Sequence, residues 1–125
     1  MNIRRASPFD VSALTLMLTE MHQQTELYTP AINYEKMTYK INELIHRGIV
    51  LVATNDDNVI MGSIAGNIGS DWWSEEKFVA DNWFYVSPDH RKSRAGYLLI
   101  KEFMKIVKDA KLPIRLGHIF SGDLD

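Results

Sequence analysis

The order of elements at the end of the chain constrains its fold most strongly. An apolar stretch, Phe78–Val86, leads into the loop Ser87–Gly96. A helical stretch, Tyr97–Ala110, and a second apolar stretch, Ile114–Phe120, follow. Two strands that a helix connects cannot form a hairpin, so they lie parallel in one sheet with a right-handed crossover. This part of the sequence therefore predicts a β-α-β unit.

The preceding residues predict one short strand, two amphipathic helices and a β-hairpin. The first helix is expected to begin at Ser7, with Asp10 as its capping-box carboxylate, and to end before Tyr28-Thr29-Pro30. The second is expected to run from a cap at Asn33 to Gly48. The predicted strands are Ile3–Ala6, Ile49–Ala53 and Val59–Ile68, and the predicted buried helix positions are Val11, Leu14, Leu18, Met21, Met37, Ile41, Leu44 and Ile45.

The resulting order, β-α-α-β-β-β-loop-α-β, predicts an α+β fold in three layers. Its central sheet is expected to be mixed, mostly antiparallel, and flanked by helices. A chain of 125 residues has room for one hydrophobic core. Residues 1–125 are therefore expected to form a single domain.

Composition excludes several classes of function. The chain has no cysteine, which rules out disulfides, thiolate metal sites and a cysteine nucleophile. Its formal net charge of -2 argues against a nucleic-acid partner. The histidines lack the spacing of a metal site, so we expect no metal. The first residues have no apolar signal core and no run approaches membrane-spanning length, so we expect a cytoplasmic protein without a membrane partner.

The loop before the last helix has the features of an anion site. Backbone N–H groups at a helix start have no partner inside the helix, and the helix dipole adds partial positive charge there. Phosphates commonly occupy such sites. Within Arg91–Gly96 the cations are Arg91, Lys92 and Arg94, and the small residues that let a pyrophosphate approach are Ala95 and Gly96. The alternative is a basic surface loop that caps an ordinary helix.

Two overlapping segments of this loop carry a recognisable pattern. Val86-Ser87-Pro88-Asp89-His90-Arg91 reads Val-x-Pro-x-x-Arg, and Arg91-Lys92-Ser93-Arg94-Ala95-Gly96 reads Arg-x-x-Arg-x-Gly. Together they resemble the acetyl-CoA signature of the GNAT superfamily of N-acetyltransferases, whose pyrophosphate loop is Arg/Gln-x-x-Gly-x-Gly/Ala. Arg94 stands where the first glycine is usual. The order of elements is similar to that of the family over the whole chain.

The resemblance implies a GNAT-like fold that lacks the usual C-terminal helix and two strands, because the chain ends at Asp125. The protein is then either a naturally short member or part of a longer one. Without the closing strands, the last strand would have an exposed edge, and exposed edges invite pairing. We therefore expect a homodimer, formed through Ile114–Phe120 of two subunits.

The resemblance further implies that acetyl-CoA is a co-substrate, whose acetyl group passes to a primary amine by direct attack. The amine-bearing acceptor would be a small molecule or a protein. The pyrophosphate would bind the backbone of Arg91–Gly96 and the Ser93 hydroxyl. The pantetheine arm would lie along the backbone of Phe84 and Val86, where a β-bulge near Trp83–Tyr85 opens the sheet. The residues implied to contact acetyl-CoA are Phe84, Tyr85, Val86, Arg91, Lys92, Ser93, Arg94, Ala95, Gly96 and Tyr97.

Catalysis needs an oxyanion donor and a base for the alkyl ammonium. A backbone N–H of Tyr85 or Val86 would be the donor. Asp81 is the first candidate base, since two-residue alternation places it on the same face as Trp83 and Tyr85. Its alternative role is that of a solvated carboxylate at a strand end. No residue clearly replaces the tyrosine that often serves the family as general acid for the leaving thiolate. Tyr85 and Tyr97 are available, although Tyr97 is expected to pack at the helix start.

The loop Gly69–Glu76 offers weaker candidates. Asp71 and Glu76 could act as base or attract a cationic substrate, but loop carboxylates are usually only solvated. Trp72 and Trp73 either form an aromatic lip over the substrate or anchor the loop by local packing. The alternative to an enzyme is a catalytically weak acyl-CoA-binding or protein-interaction module on the same fold.

Overall fold

The computed structural model describes residues 1–24 and 31–117 as one sheet with three α-helices packed on it. The elements are β1 (Asn2–Arg5), α1 (Val11–Gln23), α2 (Tyr34–Arg47), β2 (Ile49–Thr54), β3 (Ile60–Ser70), β4 (Lys77–Val86), α3 (Ala95–Asp109) and β5 (Ile114–Arg115), with short 3-10 turns at Pro8–Asp10 and Pro88–His90. The helix break expected at Tyr28-Thr29-Pro30 lies outside the described residues. No described helix combines the length and apolar character needed to cross a membrane.

The five strands lie in the order β1-β2-β3-β4-β5. The first four pair antiparallel with their neighbours, whereas β5 pairs parallel with β4 through Val79↔Ile114 and Ala80↔Arg115. The predicted parallel unit and the predicted α+β class with a mixed, mostly antiparallel sheet are therefore confirmed. The prediction of a last strand over Ile114–Phe120 is wrong at Leu116 and Gly117, because β5 ends at Arg115 and the Gly117 N–H bonds to a side chain of β4. Residues 118–120 lie outside the described part of the chain.

Each face of the sheet carries its own hydrophobic core. The core beneath α3 includes Leu51, Ile64, Val79, Leu99, Phe103 and Val107. The core beneath α1 and α2 includes Leu14, Leu18, Ile41, Val50, Val52 and Trp83. β2 is buried along its whole length and contributes to both cores, as its uninterrupted apolar sequence predicts.

The first two helices begin where their capping residues predict. The Ser7 N–H donates to the Asp10 carboxylate at 2.7 Å. The same carboxylate accepts two hydrogen bonds from Arg4, at 2.7 and 3.0 Å, which ties the start of α1 to β1. At α2, the Asn33 side chain accepts a hydrogen bond from the Lys36 N–H at 3.1 Å.

β4 contains a β-bulge at Asn82. Trp83 pairs with Ala65 and Asp81 pairs with Gly66, so Asn82 has no partner position on β3. The bulge expected near the middle of the strand thus lies immediately before Trp83. Because a bulge adds one residue to its strand, it shifts the alternation of side chains between the two faces.

This shift places Asp81 and Trp83 on opposite faces of the sheet. A Cβ added at Gly66, the partner of Asp81, would lie 2.7 Å from the Phe103 ring, so this pair faces α3. Trp83 instead belongs to the core beneath α1 and α2. The expectation that Asp81 shares a face with Trp83 and Tyr85 is therefore wrong, because simple alternation does not hold across the bulge.

Candidate functional site

The backbone of Phe84 and Val86 faces the edge of β4 that points away from β3. The Ser87 N–H donates to the Met61 carbonyl oxygen on β3 at 2.9 Å. Successive residues of an antiparallel strand direct their hydrogen bonds to alternate sides, so Tyr85 also faces β3. Phe84 and Val86 each present an N–H and a C=O to the other edge, which we call the outer edge. An extended ligand can add to such an edge as a strand does.

Among the described residues, β5 covers only the beginning of β4 on this side. The pairing ends at Ala80↔Arg115. Beyond that point the Gly117 N–H donates to Oδ1 of the Asp81 side chain at 2.6 Å, and Asp81 is only 5% exposed. The two parallel strands therefore diverge at Asp81, directly before the bulge. We call this point the fork.

The loop after β4 leads into a helix start that is open to an anion. The Ser93 hydroxyl donates to the His90 carbonyl oxygen at 2.6 Å and accepts from the Ala95 N–H at 3.2 Å. This capping explains why α3 begins earlier than the predicted Tyr97. The N–H groups of Gly96 and Tyr97 lie in the first turn, where no helical carbonyl can accept from them. The Ser93 hydroxyl, expected to contact a pyrophosphate, is engaged within the loop.

Gly96 brings this first turn close to the outer edge. A Cβ at Gly96 would lie 3.3 Å from Phe84 Cζ and 3.6 Å from Val86 Cγ2. The missing side chain therefore lets α3 pack on the same two residues whose backbone forms the outer edge. Arg94, where a glycine is usual, has a φ of -83°, so an arginine fits there without strain.

The three cations of the loop differ in their surroundings. Lys92 and Arg94 have exposed side chains beside the first turn of α3. Arg91 donates through Nε to the Val86 carbonyl oxygen and through a terminal nitrogen to Gln24 Oε1, each at 3.0 Å. Arg91, expected to contact the cofactor, thus links the outer edge to the end of α1 in this structure.

Ala95 and Tyr97, which were also expected to contact acetyl-CoA, lie on opposite sides of the first turn of α3. Ala95 is fully buried in the core beneath α3. Tyr97 is 58% exposed, and its ring centroid lies 5.5 Å from the Arg94 guanidinium and 6.0 Å from the Lys101 ammonium. Tyr97 therefore offers an aromatic surface between two cations, next to the anion site.

Tyr85 lies beside the contact between Arg91 and α1. It is 6% exposed, and its hydroxyl interacts with the Gln24 and Glu20 side chains without a well-formed hydrogen bond to any described residue. The Arg91 guanidinium lies 5.4 Å from the ring centroid. Burial raises the pKa of Tyr85, and the negative charge of Glu20 on α1 raises it further. The hydroxyl therefore keeps its proton at neutral pH and can donate a hydrogen bond.

The turn between β3 and β4 holds the other carboxylates. Asp71 accepts two hydrogen bonds from Arg115, at 2.9 and 2.7 Å, and these bonds lower the pKa of Asp71. Asp71 thus holds the turn against β5. Glu76 is exposed. Trp72 and Trp73 are 96% and 68% exposed. Their side chains therefore do not anchor the loop by local packing, which was one of the two expected roles.

Two residues of this region, Asn82 and Gln24, were not expected from the sequence. Asn82 Oδ1 is buried at the bulge and has no hydrogen-bond partner among the described residues. The signal that could have found it is the pair of consecutive polar residues, Asp81-Asn82, inside an apolar strand. Gln24 binds Arg91, which lies 67 residues away in the sequence, and no local sequence pattern predicts such a contact.

Comparison with known families points to one group of enzymes. Residues 15–121 match the model of the acetyltransferase (GNAT) family. Curated protein sequences contain no significant match to the chain.

Solved structures of acetyltransferases share the fold. An acetyltransferase from Vibrio fischeri superposes with a TM-score of 0.74 at 21% identity, over 93% of this chain and 94% of that one. A predicted acetyltransferase from Clostridium acetobutylicum, solved with acetyl-CoA, gives 0.78 at 15% identity, over 92% and 79%. The ribosomal-protein-alanine N-acetyltransferase from Brucella melitensis biovar Abortus 2308 gives 0.68 at 15% identity, over 93% and 79%. At these identities the similarity establishes the fold alone.

Proposed function

Because the chain belongs to the GNAT family of acetyltransferases, we propose that it transfers the acetyl group of acetyl-CoA to a primary amine, which attacks the thioester directly. One observation carries this proposal. The open first turn of α3, at Gly96 and Tyr97, adjoins the outer edge at Phe84 and Val86. This combination suits an extended ligand that ends in a pyrophosphate.

The residues present fit acetyl-CoA. The missing side chain of Gly96 lets the first turn of α3 pack directly on Phe84 and Val86, so its open N–H groups would lie close to a phosphate of a ligand bound at the outer edge. Lys92 and Arg94 add positive charge beside it. The amides of the pantetheine arm would pair with the backbone at Phe84 and Val86. The Val86 carbonyl is bonded to Arg91, so pairing there requires Arg91 to release it.

The direction of the β4 backbone selects between the two expected oxyanion donors. The Tyr85 N–H points toward β3, whereas the Val86 N–H points to the outer edge. We therefore assign oxyanion stabilisation to the Val86 N–H. The Tyr85 hydroxyl, buried and protonated, would donate a proton to the departing sulfur. A thiol has a pKa of about 8.5, so this step needs little assistance at neutral pH.

A second candidate function is a weakly catalytic acyl-CoA-binding module. It is favoured by the engagement of two carboxylates that were expected as bases. Asp81 accepts a hydrogen bond from Gly117, and Asp71 accepts two from Arg115. The acceptor that we propose for the transferase is an amine on a small molecule or on a protein.

Two measurements test the proposal. Calorimetry with acetyl-CoA and with desulfo-CoA tests binding, and thiol release across a panel of primary amines tests transfer. Arg94→Glu should weaken acetyl-CoA binding about tenfold, because it places a negative charge beside the phosphates. Lys108→Glu, at the far end of α3, is the matched control and should leave the affinity unchanged. Absence of acetyl-CoA binding contradicts the proposal, and binding without thiol release favours the second candidate.

A further inference from the structure

The hydrogen bond between Asp81 and Gly117 lies where the parallel pairing of β4 and β5 would continue. In that pairing Val79 is opposite Ile114, and the Val79 N–H donates to the Pro113 carbonyl oxygen at 2.8 Å. Continued in the same register, the Gly117 N–H would donate to the main-chain carbonyl of Asp81. It donates instead to Oδ1 of the Asp81 side chain, at 2.6 Å.

This exchange of acceptors changes the position of Gly117 relative to β4. Asp81 faces α3, so its carboxylate draws Gly117 out of the plane of the sheet and toward that face. A bond from an N–H to a carboxylate is stronger than one between neutral groups, and Asp81 is shielded from water at 5% exposure. The divergence of the two strands is therefore held by a specific contact that is part-buried, with Asp81 buried and Gly117 exposed.

We propose that Asp81 is a positioning residue that holds the fork open, which keeps the outer edge of Phe84 and Val86 free for the extended arm of acetyl-CoA. This inference rests on the proposed function and deepens it. Asp81 then acts on the binding of acetyl-CoA through Gly117 and does not remove the proton of the amine. A base would have to reach the attacking nitrogen. The Asp81 carboxylate points to the α3 face, away from Trp83 and Tyr85.

Two substitutions distinguish the proposed role of Asp81, holding Gly117 through its side chain, from a role as general base. We call the first role the clamp. Asp81→Asn keeps an oxygen that accepts from Gly117, so the Kd of acetyl-CoA and kcat should stay within about threefold of the wild type. Asp81→Ala removes the acceptor, so the Kd should rise about tenfold, with a smaller change in kcat at saturating acetyl-CoA. Asp71→Ala is the control, because it removes a carboxylate that also contacts β5 but lies outside the fork. If Asp81→Asn loses kcat while its Kd for acetyl-CoA is unchanged, Asp81 is the base. If Asp81→Ala has an unchanged Kd for acetyl-CoA, the clamp is overturned.

Amide hydrogen exchange at Gly117 tests the clamp without any ligand. Exchange should be slow in the wild type and in Asp81→Asn, and about tenfold faster in Asp81→Ala. Thermal unfolding checks that the variants are folded, and Asp81→Ser, whose hydroxyl is too short to reach, replaces Asp81→Ala if that variant does not fold. An unchanged rate of Gly117 amide exchange in Asp81→Ala would contradict the clamp and leave the proposed function intact. Absence of acetyl-CoA binding in the wild type would instead contradict the proposed function, and with it the role of the fork in binding acetyl-CoA.

Discussion

The Nε of Arg91 lies 3.0 Å from the carbonyl oxygen of Val86, so a side chain of the basic loop occupies the edge proposed to bind acetyl-CoA. The same guanidinium binds Gln24 at the end of α1. A ligand that pairs with Val86 must displace this contact. Occupation of the cofactor edge would then release a link to α1, the helix that covers Tyr85.

Arg91→Glu should weaken acetyl-CoA binding about tenfold, because it replaces a cation of the anion-binding loop with a negative charge. Gln24→Ala removes only the link to α1 and leaves the charge of the loop intact. This variant should bind acetyl-CoA as well as the wild type or up to about threefold more tightly, because Arg91 is easier to displace. Calorimetry measures both. Wild-type affinity in Arg91→Glu would place the pyrophosphate elsewhere.

Gly96→Val should weaken acetyl-CoA binding and lower the free energy of unfolding by about 1–3 kcal/mol, because its side chain overpacks against Phe84. Gly96→Ala should cost less stability, since alanine gains about 1 kcal/mol of helix propensity over glycine. Gly69→Ala is the control, because a Cβ there would meet only the flexible Asn67 side chain, at 3.5 Å. Urea unfolding and calorimetry measure the two effects. Unchanged affinity in Gly96→Val would show that the phosphates do not approach this turn.

The strands and helices could be predicted because burial follows the spacing of apolar residues. Ile49–Ala53 is an uninterrupted apolar run in the sequence, and the strand Ile49–Thr54 is buried along its whole length. Leu14 and Leu18 have helical spacing and lie in the core beneath α1 and α2. The open N–H groups at the start of α3 were predictable for a different reason, since the first N–H groups of any helix have no partner inside the helix; that they bind an anion stays a prediction.

The bulge and the side-chain contacts of the site could not be predicted in this way. A single inserted residue, Asn82, reverses the face of Asp81 relative to Trp83, and the spacing of apolar residues does not reveal which residue is inserted. The bond between Arg91 and Gln24 depends on how α1 packs on the sheet. Such contacts arise from tertiary structure, and the local spacing of residues in the sequence does not predict them.

Asp10 should make the protein less stable in acid. The hydrogen bonds from Arg4 lower the pKa of Asp10 below its unfolded value of about 3.9. A carboxyl group with a lowered folded pKa contributes stability that is present above the unfolded pKa and is lost as the pH falls through the folded pKa. Urea unfolding should therefore show a free energy that decreases below about pH 4.

The variant Asp10→Asn isolates this contribution. At neutral pH it should lower the free energy of unfolding by about 1–3 kcal/mol, because it weakens two charged hydrogen bonds from Arg4. The variant should also reduce the acid slope, which is the decrease in the free energy of unfolding with falling pH below about pH 4. Part of this slope should remain, because the pKa of Asp71 is lowered too. Asp57→Asn, in an exposed turn, is the control and should change stability by less than about 0.5 kcal/mol. Equal acid slopes in the wild type and Asp10→Asn would contradict the role of Asp10.

Tyr85→Phe should lower turnover without destabilising the protein. Its hydroxyl is buried without a hydrogen-bond partner among the described residues, so the free energy of unfolding should stay within about 0.5 kcal/mol of the wild type or rise. Loss of the proposed proton donor should reduce kcat by about threefold to tenfold at unchanged acetyl-CoA affinity, because a thiol with a pKa of about 8.5 can also leave as the thiolate. Because the pKa of Tyr85 is raised above its ordinary value of about 10, the wild type should lose no activity through this group as the pH increases to about 8. Wild-type kcat in Tyr85→Phe, measured by thiol release, would exclude the hydroxyl from catalysis.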